Sequence, residues 1–362
     1  MADDRDLETQ REDALSRRSF VGAAAVAAAA VTTLGAKAAL AGKAAAAPQN
    51  LAAQPPAGFT PFASPGTVVK VSKADSLMPN KLYPKADDAK AMLTRVLAEL
   101  TGKTDLVEAV KLFVHPEDKV CVKPNGIALS EMSTNKELIL PFIEAMIAGG
   151  VPAANITVLE QYSSFLAGTR IHAGNVPAGV KVAVHNNADA TMDYRMIPGT
   201  GVQTKFVRVL TESTALINFA LIKDHSICGY TGALKNMTHG CTINPHDFHV
   251  HHASPQIALL AAQDVIKSRL RLTITDAFKV MYHGGPLNKY PQYRAPYEAV
   301  YASTDPVAMD RIGWEVVEDH RKKRGLRTLS AEGREPAYIQ AAGDLGLGVA
   351  DRAAIRLREV TI

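Results

Sequence analysis

The chain has 362 residues, of which 47% are hydrophobic and 21% are charged, and its formal net charge is +4. These values are typical of a globular protein and exclude a disordered or fibrous chain. The positive charge is mild and forms no broad basic stripe, so we expect no binding to nucleic acid. The three cysteines include no C-x-x-C motif, so we expect neither a disulfide framework nor an iron–sulfur cluster.

The first 38 residues have the organisation of a twin-arginine signal peptide. Residues 16–21 (SRRSFV) place two arginines before an apolar, alanine-rich stretch, and residues 36–38 (AKA) offer a small-residue cleavage site. We therefore predict a periplasmic or extracellular protein whose partner during export is the twin-arginine translocase. Because the apolar stretch is short for a membrane span, we expect membrane anchoring only if the signal stays uncleaved.

The remaining chain divides into two parts by composition. Residues 39–65 are rich in alanine and proline and predict a flexible linker. Residues 66–362 predict a single α/β domain, because short apolar strands alternate with helical segments. The predicted strands are residues 119–123, 156–160, 180–184, 206–210, 215–222, 272–275, 299–302 and 355–360. The predicted helices are residues 136–148, 255–270, 306–322 and 337–343.

This alternation predicts a mainly parallel, or mixed, sheet with helices on both faces. Nearly all of residues 215–222 are apolar, which favours a central strand covered on both faces. Such sheets bind ligands beyond the carboxyl ends of their strands. Polar residues at those ends are therefore the first candidates for a site.

Four polar residues follow predicted strands. Lys223 and His225 end one strand, Asp276 follows a second, and Asp305 follows a third. If these strands are parallel neighbours, the four side chains converge, and we predict catalytic roles for Lys223, His225 and Asp276. Each also has a structural interpretation: Asp305 as the N-cap of a helix that begins at Pro306, Asp276 as a turn residue, and Lys223 with His225 as a solvated loop.

Residues 231–236 (TGALKN) predict an anion-binding turn. Backbone amides beside Gly232, with the side chains of Lys235 and Asn236, are suited to a carboxylate or phosphate. Thr231 and Asp305 are further candidates for contact with a small anionic ligand. The motif is not a Walker loop.

Residues 239–252 (HGCTINPHDFHVHH) hold five of the eleven histidines. Imidazole, thiol and carboxylate groups at this density predict a divalent transition metal, with His246, His249 and His251 as ligands. In an extended segment His249 and His251 would face the same way, and Cys241 could add a thiolate. The spacing matches no established metal motif, so an exposed histidine-rich loop is the alternative.

The motifs occur in an order that resembles the uncharacterised family known as domain of unknown function 362. The motifs that carry the resemblance are residues 122–125 (VKPN), 219–225 (FALIKDH), 230–236 (YTGALKN), Asp276 with 284–286 (GGP), and 303–310 (STDPVAMD). It spans residues 67–348 and implies an α/β fold. It adds Lys123 and Asn125 to the candidate substrate-binding residues and adds less for His246–His252. It strengthens six other candidates, which are Lys223, His225, Lys235, Asn236, Asp276 and Asp305. Some members carry a ferredoxin module, which this chain lacks, and the family supplies no settled activity.

Two hypotheses about function follow. The first is an exported, metal-dependent enzyme that acts on a small anionic substrate, with imidazole and carboxylate groups exchanging protons near neutral pH. The alternative is a non-catalytic protein that binds a metal or an anion. Both predict a polar cleft at the rim of the sheet.

Overall fold

The computed structural model describes residues 49–362, which belong to one compact unit. The predicted signal peptide, residues 1–38, and residues 39–48 of the predicted linker lie outside the described residues. Within the described range, no helix has the length and apolar character needed to cross a membrane.

Residues 49–65 form no helix or strand, yet they are attached to the domain. The Leu51 amide donates to Asp264 Oδ2 at 2.7 Å, and the Arg269 guanidinium donates to the Leu51 carbonyl at 2.7 Å. Hydrogen bonds to Asp264 and Arg269 therefore hold this part of the predicted flexible linker against the domain.

The described chain contains eleven strands and ten α-helices. The strands are β1 Thr67–Ser72, β2 Val120–Lys123, β3 Ile156–Glu160, β4 Lys181–Val184, β5 Arg195–Met196, β6 Gln203–Thr204, β7 Ala215–His225, β8 Gly229–Thr231, β9 Leu270–Met281, β10 Arg294–Ser303 and β11 Arg356–Thr361. The helices are α1 Ala86–Thr101, α2 Leu106–Val110, α3 Lys136–Ala148, α4 Ser163–Gly168, α5 Arg208–Glu212, α6 Ala233–Thr238, α7 Gln256–Ala261, α8 Asp264–Lys267, α9 Pro306–Lys323 and α10 Tyr338–Asp344.

Nine strands form one sheet in the order β11–β1–β10–β9–β7–β2–β3–β4, with β8 paired to the end of β7. Neighbours are parallel except at β1–β10, β10–β9 and β7–β8, which are antiparallel. The predicted α/β fold with a mainly parallel, mixed sheet is confirmed.

Strand β7 lies at the centre of this sheet, and all eleven of its residues are buried. Its side chains alternate between two apolar clusters, one on each face of the sheet. Ala215, Ile217 and Phe219 belong to one cluster, and Leu216, Ala220 and Ile222 belong to the other. Helices therefore cover both faces at this position, which is why the strand is apolar throughout.

Strand β10 runs in the opposite direction to the strand predicted there. It pairs antiparallel with β9 on one side and with β1 on the other. The end of β10 at Ser303 therefore lies at the opposite edge of the sheet from the carboxyl ends of β7 and β9. Periodicity alone does not distinguish the two directions, because both bury the same residues.

Two other predicted elements differ. The strand predicted for residues 206–210 is absent: Phe206 makes only an isolated bridge with Thr242, Val207 is the extended N-cap, and α5 begins at Arg208. The helix predicted for residues 255–270 is broken into α7 and α8, since Gln263 between them is extended.

Candidate functional site

Polar residues meet where four parallel strands end. Lys223 and His225 end β7, Lys123 ends β2, Glu160 ends β3, and His185 follows β4. Because β7, β2, β3 and β4 are parallel neighbours, their carboxyl ends share one edge of the sheet. The hairpin from β7 to β8 then brings α6 over this edge, since Lys223 pairs with Thr231.

A cavity of about 320 Å³ opens at this edge. Its volume is at the small end of ligand pockets, which span roughly 300–1,000 Å³. Among the described residues that line it, Glu160 is the only carboxylate. The predicted site residues on its wall are Lys123, Asn125, His225, Thr231, Lys235, Asn236, His246 and His249.

The Lys235 amine lies between two imidazoles. Its Nζ is 2.6 Å from His225 Nε2, 3.0 Å from His249 Nε2 and 3.5 Å from Cys228 Sγ. The side chains of Lys235 and His225 are buried, and His249 is half-buried at the wall of the cavity. The short helix α6 supplies Lys235, and the strand end beneath it supplies His225.

Hydrogen-bond partners on the far side of each ring fix the two tautomers. His225 Nδ1 accepts from the amides of Ile227 and Cys228, at 3.1 and 3.4 Å, so a neutral ring carries its hydrogen on Nε2. His249 Nδ1 faces the Pro245 carbonyl at 3.1 Å, which can only accept, so its Nε2 carries a lone pair.

These tautomers fit a neutral Lys235 amine. Such an amine has one lone pair and two hydrogens, and here it meets one donor, His225 Nε2–H, and two acceptors, His249 Nε2 and Cys228 Sγ. An ammonium has three donors and no acceptor, so it would face the His225 N–H with another hydrogen. The arrangement therefore favours the uncharged form.

Burial acts in the same direction on all of these groups. Desolvation lowers the pKa of Lys235. Desolvation, followed by the neighbouring Lys235, also lowers the pKa of His225 well below its ordinary value and that of His249 to about 3. Burial thus acts in the same direction as the hydrogen-bond geometry, which favours an uncharged Lys235 amine between two neutral imidazoles.

A network of amide side chains supports the cavity from below. Lys223 is fully buried, and its Nζ donates to Asn125 Oδ1 at 3.2 Å. Asn125 Nδ2 in turn donates to Asn236 Oδ1 at 3.1 Å, and Asn236 Nδ2 donates to Asn218 Oδ1 at 2.7 Å. Lys223 therefore lies behind the wall, where it orients Asn125. Desolvation and the nearby Lys235 lower its pKa to about 7.

Lys123 forms a buried ion pair with Glu160 at the site. Its Nζ lies 3.0 Å from Glu160 Oε2 and 2.7 Å from the Pro124 carbonyl, and both charged side chains are buried. A Cβ atom at Gly240 would lie 2.5 Å from Lys123 Cε, so the absence of a side chain there leaves room for the lysine. Glu160 also accepts from the amides of Gly126 and Gln161, each at 2.7 Å.

Two buried polar atoms at the cavity lack hydrogen-bond partners among the described residues. They are Thr231 Oγ1 and His239 Nε2. Both residues line the cavity and are more than nine-tenths buried. Leaving such groups unpaired costs free energy, so both atoms indicate where a polar ligand would bind.

The predicted anion site at the Gly232 turn is occupied by the protein itself. Asp310 accepts from the amides of Ala233 and Leu234 at 2.5 and 3.0 Å. A Cβ at Gly232 would meet Asp310 Oδ1 at 2.2 Å, so the glycine is required for this contact. The prediction that these amides hold the ligand is wrong, because an internal carboxylate already satisfies them. Burial raises the pKa of Asp310 to about 7.

Asp276 is placed away from the cavity. It lies within β9, whose strand continues to Met281, and its Oδ2 accepts from the amide and the side chain of Asn135 at 2.7 and 2.8 Å. Its carboxylate therefore fixes the start of α3. The predicted catalytic role fails because the strand is longer than its apolar core indicated.

Asp305 has the structural role of an N-cap. Its Oδ1 accepts from the amides of Val307 and Ala308, and its Oδ2 accepts from those of Gly66 and Val349, all at 2.9–3.0 Å. The prediction of substrate binding is wrong for this residue, because antiparallel β10 carries it to the other edge of the sheet.

The histidine-rich segment does not form the predicted metal site. It contains one 3₁₀ helix at His239–Cys241 and a second that begins at Pro245 and is helical up to His249. His251 and His252 then have left-handed backbone angles, so the extended alternation of His249 and His251 is absent. His246 and His249 line the cavity, whereas His251 is exposed and does not.

The donor chemistry also does not fit a metal ion. Across residues 49–362, no group of three or more His, Cys, Asp or Glu side chains is arranged to hold one. His225 Nε2 carries a hydrogen, and the Lys235 amine occupies the space between the two rings. Cys241 is buried and free, as are Cys121 and Cys228.

Sequence reasoning missed Glu160 and singled out His239 only as part of a segment. Glu160 carries the same signal as Lys223, a polar residue at the end of an apolar strand, and could have been found by that rule. His239 gave no individual signal, because its approach to His249, with ring centroids 4.9 Å apart, depends on the fold of two successive 3₁₀ helices.

Comparisons with known proteins give a family and a distant similarity in fold. The sequence profile of the family described as Domain of unknown function (DUF362) matches residues 120–315, more than half of the chain. No curated protein matches the chain. A solved structure similar to the chain is that of the lactate racemase apoprotein from Thermoanaerobacterium thermosaccharolyticum, with 9% sequence identity and a TM-score of 0.36. The similarity covers 69% of this chain and 57% of that chain, less than two thirds of its length, and is too low to carry a conclusion about function.

Proposed function

This chain belongs to the family described as Domain of unknown function (DUF362), and from the geometry of its cavity we propose that it is an enzyme that acts on a small anionic substrate. The observation that carries the proposal is the Lys235 amine, held 2.6 and 3.0 Å from two imidazole nitrogens at the wall of the cavity. A buried neutral amine with hydrogen-bonded imidazoles is costly for a fold to keep, and such groups are concentrated at active sites.

The charges around the cavity support an anionic substrate. Lys123 on the wall is paired with Glu160, the only carboxylate among the described lining residues, and Lys223 directly behind the wall, with its pKa lowered to about 7, keeps part of its positive charge near neutral pH. A bound anion would restore the balance of charge in a site that is shielded from water, where electrostatic attraction is strong. Thr231 Oγ1, which is buried and unpartnered, would donate to it.

The roles of the residues follow from these positions. Lys123 holds the acidic group of the substrate while Glu160 fixes the direction of its side chain. Asn125 and Asn236 shape the floor of the cavity. Lys235 is the acid–base group, and His225 and His249 hold it neutral and oriented. No step of this proposal uses a metal ion.

Calorimetry with small anions tests the binding half of the proposal. We expect oxalate, malonate or phosphate to bind the wild-type chain. We expect a Lys123→Met, Glu160→Gln double variant, which removes both charges of the pair together, to bind at least tenfold more weakly. The matched control is Lys111→Met, which removes an exposed lysine paired with Glu108 on α2. Failure of all three anions to bind the wild type would overturn the proposal.

Exchange of carbon-bound hydrogen for deuterium in a small carboxylate tests whether the chain is an enzyme. Small carboxylates with a carbon-bound hydrogen next to a carbonyl or carboxylate group are incubated with the protein in D₂O and followed by proton NMR. We expect exchange with the wild type and none with Lys235→Met, whose side chain has a similar length and no amine. Binding without exchange would make the chain the non-catalytic anion-binding protein of the alternative hypothesis.

We also propose that the chain is exported through the twin-arginine translocase and acts in the periplasm or outside the cell. The support is the Arg17–Arg18 pair before an apolar stretch. Folding before export would suit a site built from four strand ends and α6, which exists only in the folded protein.

A further inference from the structure

The arrangement around Lys235 points to a substrate class, and this inference rests on the proposed function. We propose that Lys235 forms an imine with the aldehyde or ketone carbonyl of a small carboxylate. A neutral lysine amine in a desolvated site is the nucleophile that reacts with carbonyl substrates.

The contacts of the amine also suit nucleophilic attack, in addition to the proton transfer given to Lys235 in the proposed function. A group that acts only as a base gains a proton and needs no acceptor beside its own hydrogens. A nucleophilic amine must lose its hydrogens, and His249 Nε2 offers a lone pair 3.0 Å from Lys235 Nζ. On the other side of the amine, the N–H at His225 Nε2 donates to the amine lone pair and keeps the lone pair oriented. The carbonyl carbon of the substrate then replaces this N–H as the partner of the lone pair.

The reaction balances with groups that the cavity holds. The Lys235 nitrogen attacks the carbonyl carbon, a C–N bond forms, and the C=O π electrons move to oxygen. His249 Nε2 takes one N–H proton and returns it to that oxygen, which gives a carbinolamine. His249 then takes the second N–H proton and passes it to the departing hydroxyl group as the C–O bond breaks and C=N forms. The products are the imine and one water, and no oxidant or reductant is required.

The remaining polar atoms fit the same class of substrate. Lys123 lies on the cavity wall and is suited to the carboxylate, as in the proposed function. Thr231 Oγ1 and His239 Nε2 have no partners among the described residues, and an intermediate with a hydroxyl group next to a carboxylate offers hydrogen-bonding atoms to both. The cavity of about 320 Å³ accommodates a two- or three-carbon oxo acid.

Reductive trapping tests the inference. The purified full chain is incubated with glyoxylate or pyruvate and cyanoborohydride near neutral pH, and the adduct is located by peptide mapping. We expect one reduced adduct per chain at Lys235, formed at least tenfold faster than at exposed lysines such as Lys111. Oxalate has carboxylate groups and no aldehyde or ketone carbonyl, so it should compete with trapping and give no adduct.

The outcomes separate this inference from the function on which it rests. If oxalate binds in calorimetry and neither oxo acid labels Lys235, the imine is overturned and the anion-binding enzyme stands. An adduct at Lys223 instead of Lys235 also overturns it. If no anion binds, the proposed function fails first. Trapping in the wild type needs no variant, so the result does not depend on whether Lys235→Met folds.

Discussion

Lys235 Nζ lies 2.6 Å from His225 Nε2, the ring nitrogen that carries the hydrogen of that imidazole. An N–H that points at an amine needs a lone pair to receive it, so this contact favours the uncharged form of the lysine. The relationship connects the local turn after β7, which fixes the tautomer, with α6, which supplies the amine.

The first prediction concerns the pH dependence of Lys235. Because burial lowers its pKa, the neutral, reactive amine persists at pH values where exposed lysines, with pKa values of about 10.4, are protonated. We expect acylation by a small neutral reagent to slow steeply at exposed lysines from about pH 9 to about pH 7 and to slow less at Lys235, because burial lowers its pKa. A pH profile at Lys235 that matches the profile of the exposed lysines, measured by mass spectrometry, would show that Lys235 is an ordinary ammonium.

The second prediction concerns stability at Lys223. Desolvation and the nearby Lys235 lower its pKa from 10.5 to about 7. Between these values the unfolded chain binds a proton that the folded protein does not, so the stability of the protein rises with pH across this window. Below about pH 7 the full cost of the buried charge applies.

We therefore expect Lys223→Met to raise the free energy of unfolding by roughly 1–3 kcal/mol near pH 7, less the cost of leaving Asn125 Oδ1 unpaired. The gain should shrink as the pH rises and disappear above about pH 11, where the wild-type lysine is largely neutral in both states. Lys223→Arg, which keeps a permanent charge, should destabilise at both pH values. Denaturant titrations measure these differences, and a Lys223→Met effect that is independent of pH would contradict the assignment.

The third prediction separates structure from function at Asp305. Asp305→Ala removes four hydrogen bonds from a buried carboxylate and should cost about 3 kcal/mol of folding free energy. Asp105 caps α2 at the surface through the Glu108 amide alone, so Asp105→Ala should cost about 1 kcal/mol. Anion binding should be unchanged in both folded variants. A selective loss of binding in the Asp305 variant would restore its role in the site.

The fourth prediction concerns metal content. We expect less than one transition-metal ion per chain in the exported wild type, and no difference in a His249→Ala, His251→Ala double variant, because Lys235 lies between the rings and His251 is exposed. Elemental analysis of protein purified without affinity metals measures this. A tightly bound ion that the double variant loses would reinstate the metal site predicted from the sequence.

The fifth prediction concerns export. Substitution of both Arg17 and Arg18 by lysine should leave the precursor in the cytoplasm, because the translocase recognises the arginine pair. Cell fractionation measures the distribution. Single lysine substitutions serve as matched controls and should have smaller effects. Unchanged export of the double variant would contradict the twin-arginine prediction.

Most strands and helices could be predicted from the sequence, because burial on a sheet or helix leaves a local period. Residues 136–148 and 156–160 became α3 and β3 with the predicted bounds. The chain also indicated Lys223 and His225, since polar residues that end apolar strands of one direction must meet at one edge of a parallel sheet. These are local signals, which require only neighbouring residues.

The tertiary structure decided the direction of the strands, the tautomers of the histidines and the group that occupies the amides beside Gly232. The sequence predicted Asp305 and Asp276 as site residues, but antiparallel β10 and the full length of β9 place them away from the cavity. The sequence predicted an anion site at the amides beside Gly232, but the carboxylate of Asp310, which is distant in the sequence, accepts from them. The neutral state of Lys235 depends on the Pro245 carbonyl, the Ile227 amide and burial acting together. Hydrogen-bond roles and desolvation are properties of atoms brought together from distant segments, so no local pattern encodes them.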